Sequence, residues 1–309
     1  MAATIANKKD TVKDKETSKD SISDEHATPK GADVCAPSVT YIGDSCIATE
    51  VLESMIEEYN ATHDDIINIT SFQNLKKISM ISYKIMLVKS LRHKLKHLCK
   101  TQACWVTLPF FKHMKNKEHW EMLHKYTFKP SGPKNTTEWL NTIHINEIFA
   151  QYEKVYKDFK FFGAVPRDFD DLSYLGIKEI NYGRLMRDGI VKIGFIFNMD
   201  THDMPGSHWV ALFANLDKGE IDYVDSTGVP PPIEIKRLMK RIYLFCKSRT
   251  GNTTSMYINT TQHQKGNTEC GVYSCNFILR LLKGESFHTI MATPIPDSTI
   301  KKCRFKYFK

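Results

Sequence analysis

The sequence predicts an α+β fold: a central mixed sheet, a helix with a cysteine at its mouth, and a helical arm ahead of both. Three observations predict it. Apolar, strand-like runs cluster at Val191–Met199, His208–Leu216, Glu220–Asp225 and Met256–Thr260. Two longer helical patterns, Ile233–Ser248 and Cys270–Lys283, interrupt and follow those runs. Upstream, residues 40–130 carry helical spacing, and the change of period separates two regions.

Residues 1–38 are rich in Lys, Asp, Ser and Thr and poor in large apolar residues. Such a segment buries too little surface to offset its ordering entropy, so a disordered charged tail is expected. From about 45 to 60, Ile47, Val51, Leu52, Met55, Ile56 and Tyr59 repeat at helical spacing. Residues 74–100 and Lys115–Tyr126 read as further helices, which makes 40–130 a basic helical arm module. Pro130-Ser131-Gly132-Pro133 is a boundary signal, and residues 131–309 form the second domain. In it Ile145–Tyr156 reads as a helix, and a short helix is expected to start at Asp168. The strand runs that follow are apolar enough to be covered on both faces. Pro230-Pro231-Pro232 stops the sheet, and Ile235, Leu238, Met239, Ile242 and Phe245 share one face of the next helix.

A chain of 309 residues holds one large domain or two small ones. Apolar content of 41% and charged content of 25% are ordinary for a globular protein. The net charge of +8 is unevenly placed: Ser71–Lys117 has eleven Lys and Arg and no Asp or Glu. That block is either a solvated helix face or a contact for an anionic partner, DNA or an acidic protein. The first residues contain no apolar signal core, and no run of about 18 apolar residues offers a membrane span. Mostly free cysteines in a reducing compartment are therefore expected for Cys35, Cys46, Cys99, Cys104, Cys246, Cys270, Cys275 and Cys303. His93, His97, Cys99 and Cys104 are metal-ligand types, but their spacing fits no zinc pattern. No metal or cofactor is expected.

The chemistry concentrates in Gln264-Lys265-Gly266-Asn267-Thr268-Glu269-Cys270-Gly271, directly before an apolar helix. A helix N-terminus presents partial positive charge, which favours thiolate over thiol. Gly271 removes a Cβ that would crowd an incoming backbone, and Gln264 offers an N–H to a developing oxyanion. Asn267 competes for that role, but the six residues from Gln264 to the cysteine allow a loop to fold back. A free thiol is only a few per cent ionised at neutral pH, so an imidazole partner is needed. His208, after the Gly206-Ser207 turn at a strand mouth, is that candidate. Asp225, ending the neighbouring strand, would orient it. Asp222, three residues earlier, points to the opposite face; Cys275 reads as core, and His263 has no acidic partner. Singly, each residue reads more readily as structural; together, four required types fall at element boundaries in an order that fits one site.

These residues resemble the cysteine peptidase clan of the SUMO (ubiquitin-like protein) proteases and the adenovirus protease. The shared pattern is His208-Trp209, Asp225-Ser226, and Gln264 with Cys270-Gly271. Within that clan the stretches HWVALF, IDYVDSTG, HQKGNTECGVYS and GPKNTTEWL are most similar to the asfivirus polyprotein-processing proteases, over roughly residues 100–290. One departure is Asp225, where the asfivirus type carries Asn and the SUMO proteases Asp. The resemblance implies a papain-like, SUMO-protease-type core and a thiol endopeptidase. It also implies a tunnel flanked by Trp139, of Trp139-Leu140-Asn141, and Trp209. Two stacked indoles there would leave no room for a Cβ, so such a tunnel admits only small residues, hence cleavage after Gly-Gly or a similar pair. Substrates would be viral structural polyproteins, processed in the host cytoplasm and virion. Alternatives are deconjugation of a ubiquitin-like modifier, acyl transfer through the same cysteine, and a non-catalytic nucleic-acid-binding protein.

Overall fold

The computed structural model describes residues 31–250 and 253–309; residues 1–30 of the expected tail lie outside the described residues. The arm contains α1 (Thr49–Asn60), α2 (Gln73–Ile78), α3 (Met80–Leu95), α4 (Gln102–Trp105) and α5 (Lys117–Glu121). A π-helical turn, Met122–Tyr126, continues α5. Val51, Leu52, Met55 and Ile56 of α1 pack on Tyr83, Leu87, Val88 and Leu91 of α3, with Trp105 and Phe111 filling the remainder. The helix expected over 74–100 is split: the Ser79 side chain accepts from the Ser82 N–H and caps α3, breaking the run into two.

Two expectations are corrected in the arm. The tail does not extend to residue 38, because Cys35 bridges Phe128 and the Ala36 N–H donates to the Thr127 carbonyl at 3.0 Å. Nor are the cysteines mostly free: Cys35–Cys46 and Cys99–Cys104 are disulfides, with Cα atoms 5.4 and 5.7 Å apart, well within bridging range. Folding brings these pairs together, and spacing did not reveal it. Cys246, Cys270, Cys275 and Cys303 are free and buried. The second disulfide also consumes both thiols of the weighed zinc set, and among the described residues no cluster of three or more ligand-type side chains exists. Carboxylates outside the basic block answer several of its cations: Lys76 pairs with Glu53, Arg92 with Asp44, and Lys94 with Asp65.

The second region begins with α6 (Thr142–Val155), β1 (Phe159–Pro166), α7 (Tyr182–Arg187), β2 (Lys192–Asn198), β3 (Trp209–Asn215) and β4 (Glu220–Val224). It continues with α8 (Ile233–Thr250), β5 (Ser255–Ile258), α9 (Cys270–Leu282), α10 (Phe287–Ala292), α11 (Asp297–Lys302) and α12 (Arg304–Tyr307). The sheet runs β1-β2-β3-β4-β5, parallel at both edges and antiparallel in the middle, hence mixed. Every residue of β3 is buried, because α9 covers one face of the sheet and α8 the other. The strand β1 is missed by sequence reading: its Phe-Lys-Phe-Phe run meets Gly163 at φ +112°, beside the register shift that obscures its alternation. The helix expected at Asp168 is one 3-10 turn, Phe169–Asp171.

The C-terminal residues close over the junction of the two regions. The Lys309 N–H donates to the Pro130 carbonyl at 3.1 Å, and Lys129 Nζ donates to the Phe305 carbonyl at 3.1 Å.

Candidate active site

His208 directly precedes β3 and Asp225 directly follows β4, so antiparallel pairing sets these two residues side by side at one end of the sheet. The turn before His208 requires glycine. Gly206 has φ +94°, and a Cβ there would lie 2.6 Å from the Asn198 side-chain nitrogen. Ser207 Oγ donates to Asp200 at 2.8 Å and its N–H donates to Asn198 at 3.2 Å, which fixes the approach to His208.

His208 Nε2–H donates to Asp225 Oδ1 at 2.7 Å. The same oxygen accepts from the Thr227 N–H and hydroxyl, both at 2.7 Å. The Asn259 side chain brackets Asp225, accepting from its N–H and donating to its carbonyl, each at 2.8 Å. Burial works to raise Asp225, but the donors from His208 and Thr227 and the imidazole charge overcome it and hold the carboxyl below its ordinary range. Burial likewise works to lower His208. Hydrogen bonds to Asp225 and Cys270, and the charges of both, outweigh it and lift the imidazole from 6.5 to about 9. Asp225 and Cys270 together therefore favour the charged form of the ring. Cys270 opens the thirteen-residue α9, so the helix dipole acts on the sulfur in the same sense.

Gln264 is buried. Its Oε1 accepts from Ser226 Oγ at 2.7 Å, and Nε2 donates to the Gly266 carbonyl at 2.8 Å, which leaves a second Nε2 hydrogen. Asp297 anchors this loop, accepting from the Lys265 N–H at 3.0 Å, the Gly266 N–H at 2.6 Å and the Tyr273 hydroxyl at 2.7 Å. Sequence reasoning missed the roles of Thr227, Asn259 and Asp297. Thr227 lay two residues past Asp225 and so was within reach of an Asx-type turn reading, but nothing local flags Asn259 or Asp297.

Trp139 and Trp209 both line a cleft of about 400 Å³, together with Leu140, Asn198, Met204 and Gly206. They are not the stacked pair expected. Trp209 is buried and its Nε1–H donates to the Leu140 carbonyl at 2.8 Å, whereas Trp139 is 43% exposed at the rim. The reason for Gly271 also changes: an added Cβ would meet Leu140 Cβ at 3.1 Å and Trp209 Cδ1 at 3.3 Å. Glycine there lets α9 press against the cleft wall before any substrate arrives. Asn267 is exposed and, like His208, Gln264 and Cys270, is not among the residues that line this cleft. Cys275 lies on the core side of α9, where burial pushes its thiol far up. Asp222 lines a different cleft, at the far end of β4.

Residues 192–309 match the family described as the Ulp1 protease family, C-terminal catalytic domain. A protein of Acanthamoeba polyphaga mimivirus named as a thiol protease is 45% identical over 183 residues, 59% of this chain and 61% of its own length. The chain thus spans less than two thirds of that relative. A cysteine protease of African swine fever virus is 27% identical over 227 residues, 68% of this chain and 83% of that protein. The crystal structure of an African swine fever virus protease has the same fold, with a TM-score of 0.64 at 23% identity over 89% of this chain and 95% of that one. Residues 192–309 are thus similar to the catalytic domain of the Ulp1 protease family, and the relatives that match over a longer span are named thiol or cysteine proteases.

Proposed function

We propose that this chain is a thiol endopeptidase that cleaves after Gly-Gly or a similar small pair and matures viral structural polyproteins. The observation that carries the catalytic part is His208 held by Asp225 at 2.7 Å at the strand ends, with Cys270 close enough to help raise its imidazole. The Cys270 thiolate attacks the scissile carbonyl carbon and forms a C–S bond. The second Nε2 hydrogen of Gln264 and the Cys270 N–H receive the oxyanion. His208 gives its proton to the departing amine as the C–N bond breaks. Water, deprotonated by His208, then hydrolyses the thioester and restores the thiolate–imidazolium pair. Trp139, Trp209 and Leu140 line the cleft in which a chain of small residues would lie.

A second reading shares this chemistry: removal of a ubiquitin-like modifier. It draws support from an African swine fever virus relative, 26% identical over 227 residues, that is named a SUMO-1 cysteine protease. The site of action proposed is the host cytoplasm and the virion. The test is recombinant protein offered a Gly-Gly-X polyprotein peptide and a SUMO fusion, with an electrophilic Gly-Gly probe mapped by mass spectrometry. Cleavage of the peptide but not the fusion, with Cys270 labelled, supports the first reading. The reverse preference supports the second, and no label on Cys270 overturns both. The match of residues 192–309 to a protease catalytic domain favours both readings over a non-catalytic one.

A further inference from the structure

Glu269 is the residue before the nucleophile, and its carboxylate is buried one residue from a sulfur that must ionise. Its charge disfavours a thiolate unless it is answered. The answer comes from the far end of the chain. Arg304, at the start of α12 and fully buried, donates through Nε to Glu269 Oε2 at 2.9 Å. The same guanidinium donates to the Pro133 carbonyl at 3.1 Å and the Thr268 carbonyl at 3.5 Å. Glu269 in turn accepts from the Thr268 hydroxyl at 3.2 Å, and its carbonyl receives the Tyr273 N–H at 2.8 Å in the first turn of α9.

We propose that Arg304 is a positioning residue for Cys270. It neutralises Glu269 and locks the entry to α9, so that the thiolate forms without a like charge beside it. The inference rests on the protease reading above and deepens it. Taking both charges out of water is costly, and a well-packed apolar pair is often as stable; a role at the nucleophile accounts for an ion pair here. The other titratable groups around the pair are Tyr273 and Cys275 of α9 and Cys303 beside α12. His208 and Asp225 face Cys270 from the strand ends, and Asp297 and Lys265 face Tyr273 from α11 and the Gln264 loop.

The test measures alkylation of Cys270 by iodoacetamide, mapped by mass spectrometry, in the full chain from about pH 4 to 10, alongside peptide cleavage. Glu269→Gln leaves the guanidinium unopposed, so the acid limb of both profiles moves down by on the order of one pH unit. Arg304→Gln leaves the carboxylate unopposed, so the limb moves up by a similar amount and alkylation near neutrality falls about tenfold. The double variant, Glu269→Gln with Arg304→Met, returns the limb to near its wild-type place. A purely structural pair would lower stability without moving the limbs in opposite directions, and that result overturns the proposal. If Arg304→Gln does not fold, Glu269→Gln and the double variant still carry the sign test. A wild type that neither cleaves nor alkylates at Cys270 sinks the protease reading instead; a wild type that cleaves, with unshifted variants, sinks only this one.

Discussion

Replacing Asp225 by Asn tests the site where the structure speaks most directly. The amide keeps an acceptor for His208 and Thr227 but removes the negative charge. His208 stands at about 9 instead of 6.5 because bonds and charges from Asp225 and Cys270 outweigh burial. Near pH 8, an imidazole at about 9 is roughly nine-tenths protonated, and one at 6.5 only about 3%. Losing the whole rise would deplete the ion pair about thirtyfold at that pH. Since the amide preserves a hydrogen bond, a tenfold to thirtyfold loss of kcat/KM is expected, with the basic limb falling by about one to two pH units. Stability carries the same signature. Because the folded-state value lies above the unfolded one, the stabilisation is complete below pH 6.5 and is lost as pH rises through about 9. At 1.36 kcal/mol per pH unit the ceiling is about 3 kcal/mol. Solvent screening at a side chain 22% exposed reduces this to roughly 1–2 kcal/mol. Urea denaturation of wild type and variant at pH 6 and near pH 10 measures the difference. A variant with an unmoved basic limb and activity within twofold of wild type would refute the charge-based account.

Three further outcomes follow from particular contacts. Gly271→Ala must displace Leu140 or Trp209 by a few tenths of an ångström; kcat/KM should fall about tenfold while the unfolding free energy from urea titration falls by no more than about 1 kcal/mol, and an unaffected kcat/KM would show that the wall does not shape the cleft. The Cys35→Ala, Cys46→Ala pair opens a disulfide spanning 11 residues, worth about 3 kcal/mol in the chain-entropy picture; a lower melting temperature, with the difference from wild type vanishing when both proteins are measured in reductant, is the expected reading. Asp222→Asn concerns a carboxyl raised to about 7 by burial and by Glu220, with Oδ1 unpartnered. A raised acid costs stability as pH climbs from 3.8 to about 7, so the variant should be more stable than wild type near pH 8 and lose that advantage near pH 4.

The parts legible in the sequence were those fixed by local rules. Strands β2 and β3 announced themselves because both sheet faces are covered, so their inner residues are apolar, and β4 followed from its Ile-Asp-Tyr-Val run beside them. His208, Asp225 and Cys270 sit at element ends, and order along the chain was enough to join them. What escaped depended on distance. Cys35 and Cys46 form a bridge only because the segment after Gly31 docks beside Phe128, and no spacing rule carries that information. The stacking expected of Trp139 and Trp209 failed because a hydrogen bond to the Leu140 carbonyl, invisible in a string of letters, claims the second indole. Asn259 and Asp297 reach the site from 34 residues beyond Asp225 and 31 beyond Gly266.

The C-terminal turn ties two separately cored regions to the residue before Cys270. Phe308 is fully buried against Gly132, where an added Cβ would lie 2.3 Å from its ring. Lys129 of the arm donates to the Phe305 carbonyl, and Lys309 donates to Pro130. Arg304, on the same short helix, reaches both Pro133 and Glu269. One element thus binds the end of the arm, the boundary segment and the residue before the nucleophile. A strain placed at the boundary therefore has a direct route to Cys270 through Arg304, with no need of the sheet. Gly132→Ala is the discriminating perturbation, because it presses on Phe308 while leaving His208, Asp225 and Gln264 untouched. If the route operates, the variant loses alkylation rate at Cys270 as well as about 1–3 kcal/mol of stability. Loss of stability alone, with Cys270 reacting at the wild-type rate, would confine the C-terminal turn to holding the fold together.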